Sequence, residues 1–210
     1  ANPVARHMAK LLSADTKVTM VDTNLEHVRA AEAMGLEVVK GNGIDDDVLE
    51  EAGVTGARSV IATTTNAEVN LLAATIAKRR FGVPSVHVAM PEEATNGMHR
   101  MLDSIDGKPL FGRAVDISVW DVAAATGRTV DLEYTVADPD DVFTSEPEGN
   151  GRRELESLPL VVRTDHGWDL FSGETDMRPG ETILALGMKP VRQPLGRELE
   201  QEDGTLPRAS

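Results

Sequence analysis

Short apolar runs alternate with helical segments along the first 90 residues, and this alternation constrains the fold more than any other feature of the sequence. Four runs of strand character lie within TKVTMVD, LEVVK, ARSVIATTT and VPSVHVAM, and each follows a segment with helical periodicity. Strands and helices that alternate with short connections form parallel sheets with right-handed crossovers. The sequence therefore predicts an α/β fold built around a parallel sheet.

The starts of the helices are also marked in the sequence. Asn2, followed by a proline, is a good N-cap, so the first helix is predicted to begin at the third residue. Thr23 with Glu26, and Thr65 with Glu68, have the spacing of a capping box, in which each side chain bonds to the backbone of the other residue. We therefore expect Thr23 and Thr65 to cap the helices that follow them.

The pattern changes in the second half of the chain. One more helix is predicted over residues 92–106, with an apolar side that covers either the sheet or a second copy of the chain; this side carries Met98, Met101, Leu102 and Ile105. Alternating, turn-bounded runs then predict strands as far as residue 188. The sequence therefore predicts an α/β domain over 1–106, a smaller β-rich domain over 107–188 and a disordered acidic tail over 189–210.

The composition excludes several classes of function. The formal net charge is −14, from 35 acidic against 21 basic residues, whereas binding to nucleic acid or anionic lipid needs a basic surface. There is no cysteine, which excludes disulfides and thiolate chemistry. No apolar run approaches the roughly 18 residues of a membrane span, so we expect no membrane insertion and a cytoplasmic location. The acidic excess fits either a high-salt cytoplasm or an ordinary acidic protein.

The first two elements match part of a dinucleotide-binding fingerprint. In such folds a G-x-G-x-x-G/A turn opens a helix that binds pyrophosphate, and an acid about 20 residues later binds ribose. Asp22 ends the first predicted strand, and counting back places Asn2 and Ala5 at the second and third glycines. The first glycine and its strand would precede Ala1, so the predicted Rossmann-like sheet lacks its N-terminal strand. Alternatively, Asp22 only caps the next helix.

Longer segments carry a resemblance to a known family. VTMVDTN, GNGIDDDVLEEAGV and ARSVIATTTNAEVNLLAATIAKRRFGVPSVHVAM follow one another at the spacing of the nucleotide-binding RCK domain, also called TrkA-N, and residues 1–106 resemble this domain. LESLPLVVRTDHGWDLFSGETDMRPGETILALG resembles the β-rich RCK-C, or TrkA-C, domain. KPLFGRAVDISVW is similar to the cytoplasmic tails of cation/proton antiporters. The resemblance implies a regulatory module of potassium channels, potassium transporters or such antiporters.

The resemblance also implies where a ligand would bind. Residues 2–6 would face the phosphates, Asp22 the adenosine ribose, and the turn 41–43 the adenine, with asparagine in place of the family's acid in that turn. The implied ligand residues are Asn2, Pro3, Val4, Ala5, Arg6, Asp22, Thr23, Asn24, Gly41, Asn42, Gly43, Thr63, Thr64 and Asn66. The threonine run is alternatively a strand end followed by a helix cap. An acid at Asp22 would repel a 2′-phosphate, which favours NAD or another adenine nucleotide over NADP.

Two functions of different classes are compatible with these features. The second half shows no group of residues suited to donate a proton to a substrate, which favours a binding module over an enzyme. By the resemblance, the chain would be a nucleotide-sensing domain at the inner face of the cell membrane, joined or bound to a membrane cation transporter. Nucleotide binding would shift a homodimer or higher assembly between two arrangements and so control potassium transport or sodium/proton antiport. The alternative is a stand-alone NAD-dependent Rossmann oxidoreductase.

Overall fold

The computed structural model of the chain describes residues 1–136, 156–172, 175 and 177–189. The predicted acidic loop DPDDVFTSEPEGNG and the predicted tail beyond Lys189 lie outside these residues. The helices and strands are α1 (Pro3–Leu12), β1 (Thr19–Asp22), α2 (Leu25–Ala33), β2 (Glu37–Lys40), α3 (Asp46–Glu51), β3 (Ser59–Ala62), α4 (Ala67–Arg79), β4 (Ser85–Val88), α5 (Asn96–Asp103), β5 (Lys108–Pro109), α6 (Ile117–Ala125), β6 (Thr129–Thr135), β7 (Ser157–Thr164), β8 (Gly167–Leu170) and β9 (Thr182–Met188).

The described strands form two parallel sheets and one antiparallel sheet, which confirms the predicted α/β class with a separate β-rich sheet. β1 pairs with β2, and β4 lies between β3 and β5. The break between the two parallel sheets thus falls between β1 and β3. In a complete fingerprint sheet, the first strand would lie at this position. The two-residue strand β5 and the helix α6 were not predicted from the sequence, and β5 extends the parallel sheet beyond residue 106.

Two of the predicted helix starts are wrong by one residue. Asn24, and not Thr23, is the N-cap of α2, where its side chain accepts from the N–H of Glu26 at 2.9 Å. Asn66, and not Thr65, is the N-cap of α4. Asparagine is at least as good a cap as threonine, so the asparagine that follows each threonine takes the position. The predicted cap at Asn2 is confirmed.

The helices α4 and α5 cover one face of β3 and β4. Val86 of β4 and Leu102 and Ile105 at α5 are buried in one apolar cluster, and Met98 packs against it. Met101 is 40% exposed, so its predicted place on the same apolar side is wrong. Three of the four predicted residues therefore pack on the chain's own sheet, while covering by a second copy stays a prediction.

The antiparallel sheet, in the order β6-β9-β7-β8, packs against α1 and α6. Met8 of α1, Trp120 of α6 and Leu160 of β7 belong to one buried cluster, so the two helices and this sheet share a core. The N–H of Trp168 in β8 also donates to the carboxylate of Asp15, just after α1, at 3.0 Å. The helix that opens the chain is therefore tied to both α6 and the antiparallel sheet.

Candidate functional site

The predicted ligand residues lie at one edge of the parallel strands. Asp22 ends β1, the turn 41–43 follows β2, and Thr63 follows β3. The carboxyl ends of parallel strands share an edge, and in open α/β sheets this edge is where ligands bind. The N–H of Gly41 donates to the carbonyl of Asp22 at 3.0 Å, and the side-chain amide of Asn2 donates to the carbonyl of Thr63 at 2.6 Å. These bonds bring three of the predicted segments and the amino end of α1 together.

The carboxylate of Asp22 faces the start of the chain. Its Oδ2 lies 2.5 Å from the backbone nitrogen of Ala1 and 3.0 Å from Nδ1 of His27, and its Oδ1 accepts from the N–H of Asn24 at 2.8 Å. Burial raises the pKa of Asp22, but the hydrogen bonds from Ala1 and Asn24 outweigh burial and hold the pKa below its ordinary value. Asp22 is therefore an ionised acceptor beside the amino end of α1, as a ribose-binding acid must be.

The loop after β3 is held by a residue that is not among the predicted ligand residues. Asn70, on α4, is buried, and its Oδ1 accepts from the N–H of Thr64 at 2.8 Å and from its hydroxyl at 2.7 Å. The Asn70 amide donates back to the carbonyl of Thr64 at 2.8 Å and to that of Ala89 at 3.2 Å. Thr64 is thus fixed as a structural link between β3 and β4. In the sequence, the signal for this role of Asn70 is a polar residue on the apolar face of a helix.

The turn after β2 is shaped by one close approach. A Cβ at Gly41 would lie 2.6 Å from both methyl carbons of Val48, so only glycine fits between β2 and α3. Gly43 has open space around it. The side chain of Asn42 accepts from the N–H of Ile44 at 3.3 Å, so this residue forms its own turn. Packing accounts for Gly41, while the predicted contacts of Asn42 and Gly43 with adenine stay predictions.

The backbone N–H groups at the amino end of α1 are already bonded within the chain. Pro3 has no N–H, the N–H of Val4 donates to the carboxylate of Asp121 at 3.1 Å, and the N–H of Ala5 donates to the side chain of Asn2 at 2.8 Å. The guanidinium of Arg6 donates to the carbonyl of Ala1 at 2.5 Å. The N–H groups of Val4 and Ala5 are therefore occupied, and these two donors are not open to a pyrophosphate in the arrangement described.

Space at this edge is also limited. A cavity of about 20 Å³ lies between the loop after β3 and the start of α6, lined among others by Thr64, Pro91 and Asp116. This volume suits a water molecule, whereas sites for small molecules measure about 300–1,000 Å³. A larger open cleft of about 310 Å³ lies beside α1 and α6, lined by Arg6 and His7 among others. The tight space therefore lies beside Thr64, and the ribose contact of Asp22 stays a prediction.

Other chemistry is not supported by the described residues. Among them, no three histidine or acidic side chains are placed to hold a metal ion. His87 of β4 is buried and its Nε2 lies 2.9 Å from the hydroxyl of Ser85, so this histidine belongs to the core. Across the described ranges, no helix combines the length and apolarity needed to cross a membrane.

Comparison with known proteins identifies the first half of the chain. Residues 1–104 match the family model of the TrkA-N domain, and TrkA-N domains are Rossmann-like nucleotide-binding folds. Two solved structures are similar: the RCK domain of GsuK, at 12% identity and a TM-score of 0.32, and the GsuK channel, at 11% and 0.33. The match covers 82% of this chain in both cases, but only 44% and 36% of the two GsuK chains. At these TM-scores the two likenesses support no conclusion about function.

Proposed function

We propose that this chain, which belongs to the TrkA-N family through residues 1–104, is a cytoplasmic regulatory module that responds to an adenine nucleotide and controls a membrane cation transporter. The observation that carries the proposal is the position of Asp22. Its ionised carboxylate ends β1 and lies 2.5 Å from the nitrogen of Ala1, directly beside the amino end of α1. A strand-end acid next to a helix start is the arrangement that distinguishes adenosine ribose from its 2′-phosphorylated form.

The roles of the individual residues follow from their positions. Asp22 accepts hydrogen bonds from the ribose hydroxyls, and His27, 3.0 Å from Asp22, helps to hold the carboxylate in place. Asn24 caps α2 and so positions its start, and we therefore assign Asn24 a structural role at the site. Arg6, in the first turn of α1, supplies positive charge on the phosphate side. A nucleotide such as NAD is proposed as the ligand because these groups suit an adenosine ribose without a 2′-phosphate.

The output of the module is proposed to be mechanical. The antiparallel sheet, which we propose to be the TrkA-C-like part over 107–188, contacts α1 directly through the core around Met8. A change at the amino end of α1 therefore reaches the second part of the chain without an intervening linker. We propose a homodimer or higher assembly at the inner face of the cell membrane, in which this change alters the state of a potassium channel, a potassium transporter or a sodium/proton antiporter.

Titration calorimetry tests the proposal. NAD⁺, NADP⁺ and adenosine are titrated into the wild type, Asp22→Asn and the control Asp103→Asn, whose exposed carboxylate lies at the carboxyl end of α5. We expect NAD⁺ to bind more tightly than NADP⁺, and Asp22→Asn to weaken NAD⁺ by about tenfold, because a charged hydrogen-bond acceptor is lost. The control should bind like the wild type. Equal NAD⁺ affinity in all three proteins would place the ribose elsewhere, and steady hydride transfer would show an enzyme instead.

A further inference from the structure

The contact between Asp121 and Val4 joins two distant parts of the chain. Asp121 lies in the middle of α6, 117 positions after Val4, and its Oδ1 accepts from the Val4 N–H at 3.1 Å. Val4 supplies the first N–H of α1, because Pro3 has none, and the next N–H, of Ala5, is satisfied by the helix's own cap. A carboxylate from another helix therefore occupies a donor of this helix start that no local group satisfies.

The surroundings of Asp121 are those of an anion site. The guanidinium of Arg6, in the first turn of α1, acts on its carboxylate and attracts negative charge. Burial nevertheless raises the pKa of Asp121 to about 6, so its ionised form is held there against a desolvation penalty. A helix amino end beside a guanidinium is a place where a phosphate would be favoured, and here it contains a carboxylate.

We infer that Asp121 is an internal competitor of the ligand's phosphate group, so that a phosphate can reach the amino end of α1 only when the Asp121 carboxylate leaves the Val4 N–H. This inference rests on the proposed function, because it concerns the phosphate side of the same site. Its consequence is mechanical coupling. α6 is followed after three residues by β6, an outer strand of the antiparallel sheet, so a displacement of Asp121 is passed directly to that sheet.

Two variants of Asp121 separate its charge from its contact. Asp121→Asn keeps the shape and an acceptor for Val4, whereas Asp121→Ala removes both the charge and the acceptor. Asp103→Asn, at the exposed carboxyl end of α5, is the control for a loss of one surface charge. Each protein is first checked for an unchanged circular dichroism spectrum, and NAD⁺ and adenosine are then titrated by calorimetry.

We expect Asp121→Ala to bind NAD⁺ about tenfold more tightly than the wild type, Asp121→Asn to lie between them, and adenosine, which has no phosphate, to bind all four proteins equally. NAD⁺ binding to the wild type should also raise the rate of amide hydrogen exchange in residues 117–125. Asp121→Ala should show this higher rate without ligand. If the wild type binds NAD⁺ and Asp121→Ala binds it equally tightly or more weakly, the inference is overturned and the proposed function stands. Absence of NAD⁺ binding in every protein overturns both.

Discussion

The side-chain amide of Asn2 donates to the carbonyl oxygen of Thr63 at 2.6 Å, and this bond links the amino end of α1 to the end of β3. The same side chain caps α1 by accepting from the N–H of Ala5. Asn2 is 9% exposed, so both bonds are shielded from water. Asparagine at this position, where a nucleotide fingerprint has glycine, therefore has a structural role that glycine could not fill.

The two bonds of Asn2 can be separated by substitution. Asn2→Ser keeps a capping oxygen but is too short to reach Thr63, and we expect it to lower the free energy of unfolding by about 1 kcal/mol. Asn2→Ala loses the cap as well and should cost about 2 kcal/mol. Urea unfolding measures both, with Asn96→Ser on the exposed start of α5 as the control. Equal stability of Asn2→Ser and the wild type would show that the bond to Thr63 contributes nothing.

The glycines of the 41–43 turn provide a matched pair. A methyl group at Gly41 would overlap Val48, so Gly41→Ala should cost about 1–3 kcal/mol by overpacking. Gly43 has open space, and Gly43→Ala should stay within about 0.5 kcal/mol of the wild type. Adding Val48→Ala to Gly41→Ala removes the overlapping methyl groups and should restore part of the loss in urea unfolding. Equal effects of the two alanine variants would mean that the turn shifts to accommodate the methyl group.

The features of this structure that could be predicted depend on residues that are close together in the sequence. The alternation of strands and helices and the cap at Asn2 depend on neighbouring residues, and these were predicted. The caps Asn24 and Asn66 were missed by one position, because two capping residues stand side by side and only their backbone geometry decides between them. β5 consists of two residues, too few for any periodic pattern.

The candidate site shows the same limit. Asp22 was predicted because the end of a strand and a spacing of about 20 residues can be read locally. The occupant of the Val4 N–H could not be predicted, because Asp121 comes from a helix 117 positions away and lies in a segment with no distinguishing motif. Asn70 reaches Thr64 and Ala89 only because α4 crosses β3 and β4. The competition proposed at α1 therefore depends on tertiary contacts alone.

The acidic surface leads to a prediction about salt. α3 and its cap carry five carboxylates within residues 45–51, and among the described contacts Asp46 pairs with Arg80. The Debye length falls from about 10 Å at 0.1 M salt to about 3 Å at 1 M, so repulsion between neighbouring carboxylates is screened over this range. The melting temperature should rise by a few degrees between 0.1 and 1 M KCl, and Glu50→Lys should reduce this rise. A melting temperature independent of KCl would exclude adaptation to high salt.

His87 makes stability depend on pH. Burial lowers its pKa from 6.5 to about 4, with help from the charge of Lys108 and against the attraction of Asp169. Between these values the unfolded chain binds a proton that the folded chain does not, so stability is complete above pH 6.5 and falls as the pH drops toward 4. The loss should reach about 2–3 kcal/mol.

Asp121 works in the opposite direction over part of the same window, because its raised pKa of about 6 favours the protonated folded state at low pH. The measurement must therefore compare variants. Urea unfolding between pH 4.5 and 8 is followed for the wild type, His87→Gln and the control His99→Gln, whose ring is exposed on α5. The stability of His87→Gln should fall less steeply with decreasing pH than that of the other two proteins. Parallel pH profiles for all three would show that His87 is protonated in the folded chain as readily as in the unfolded one.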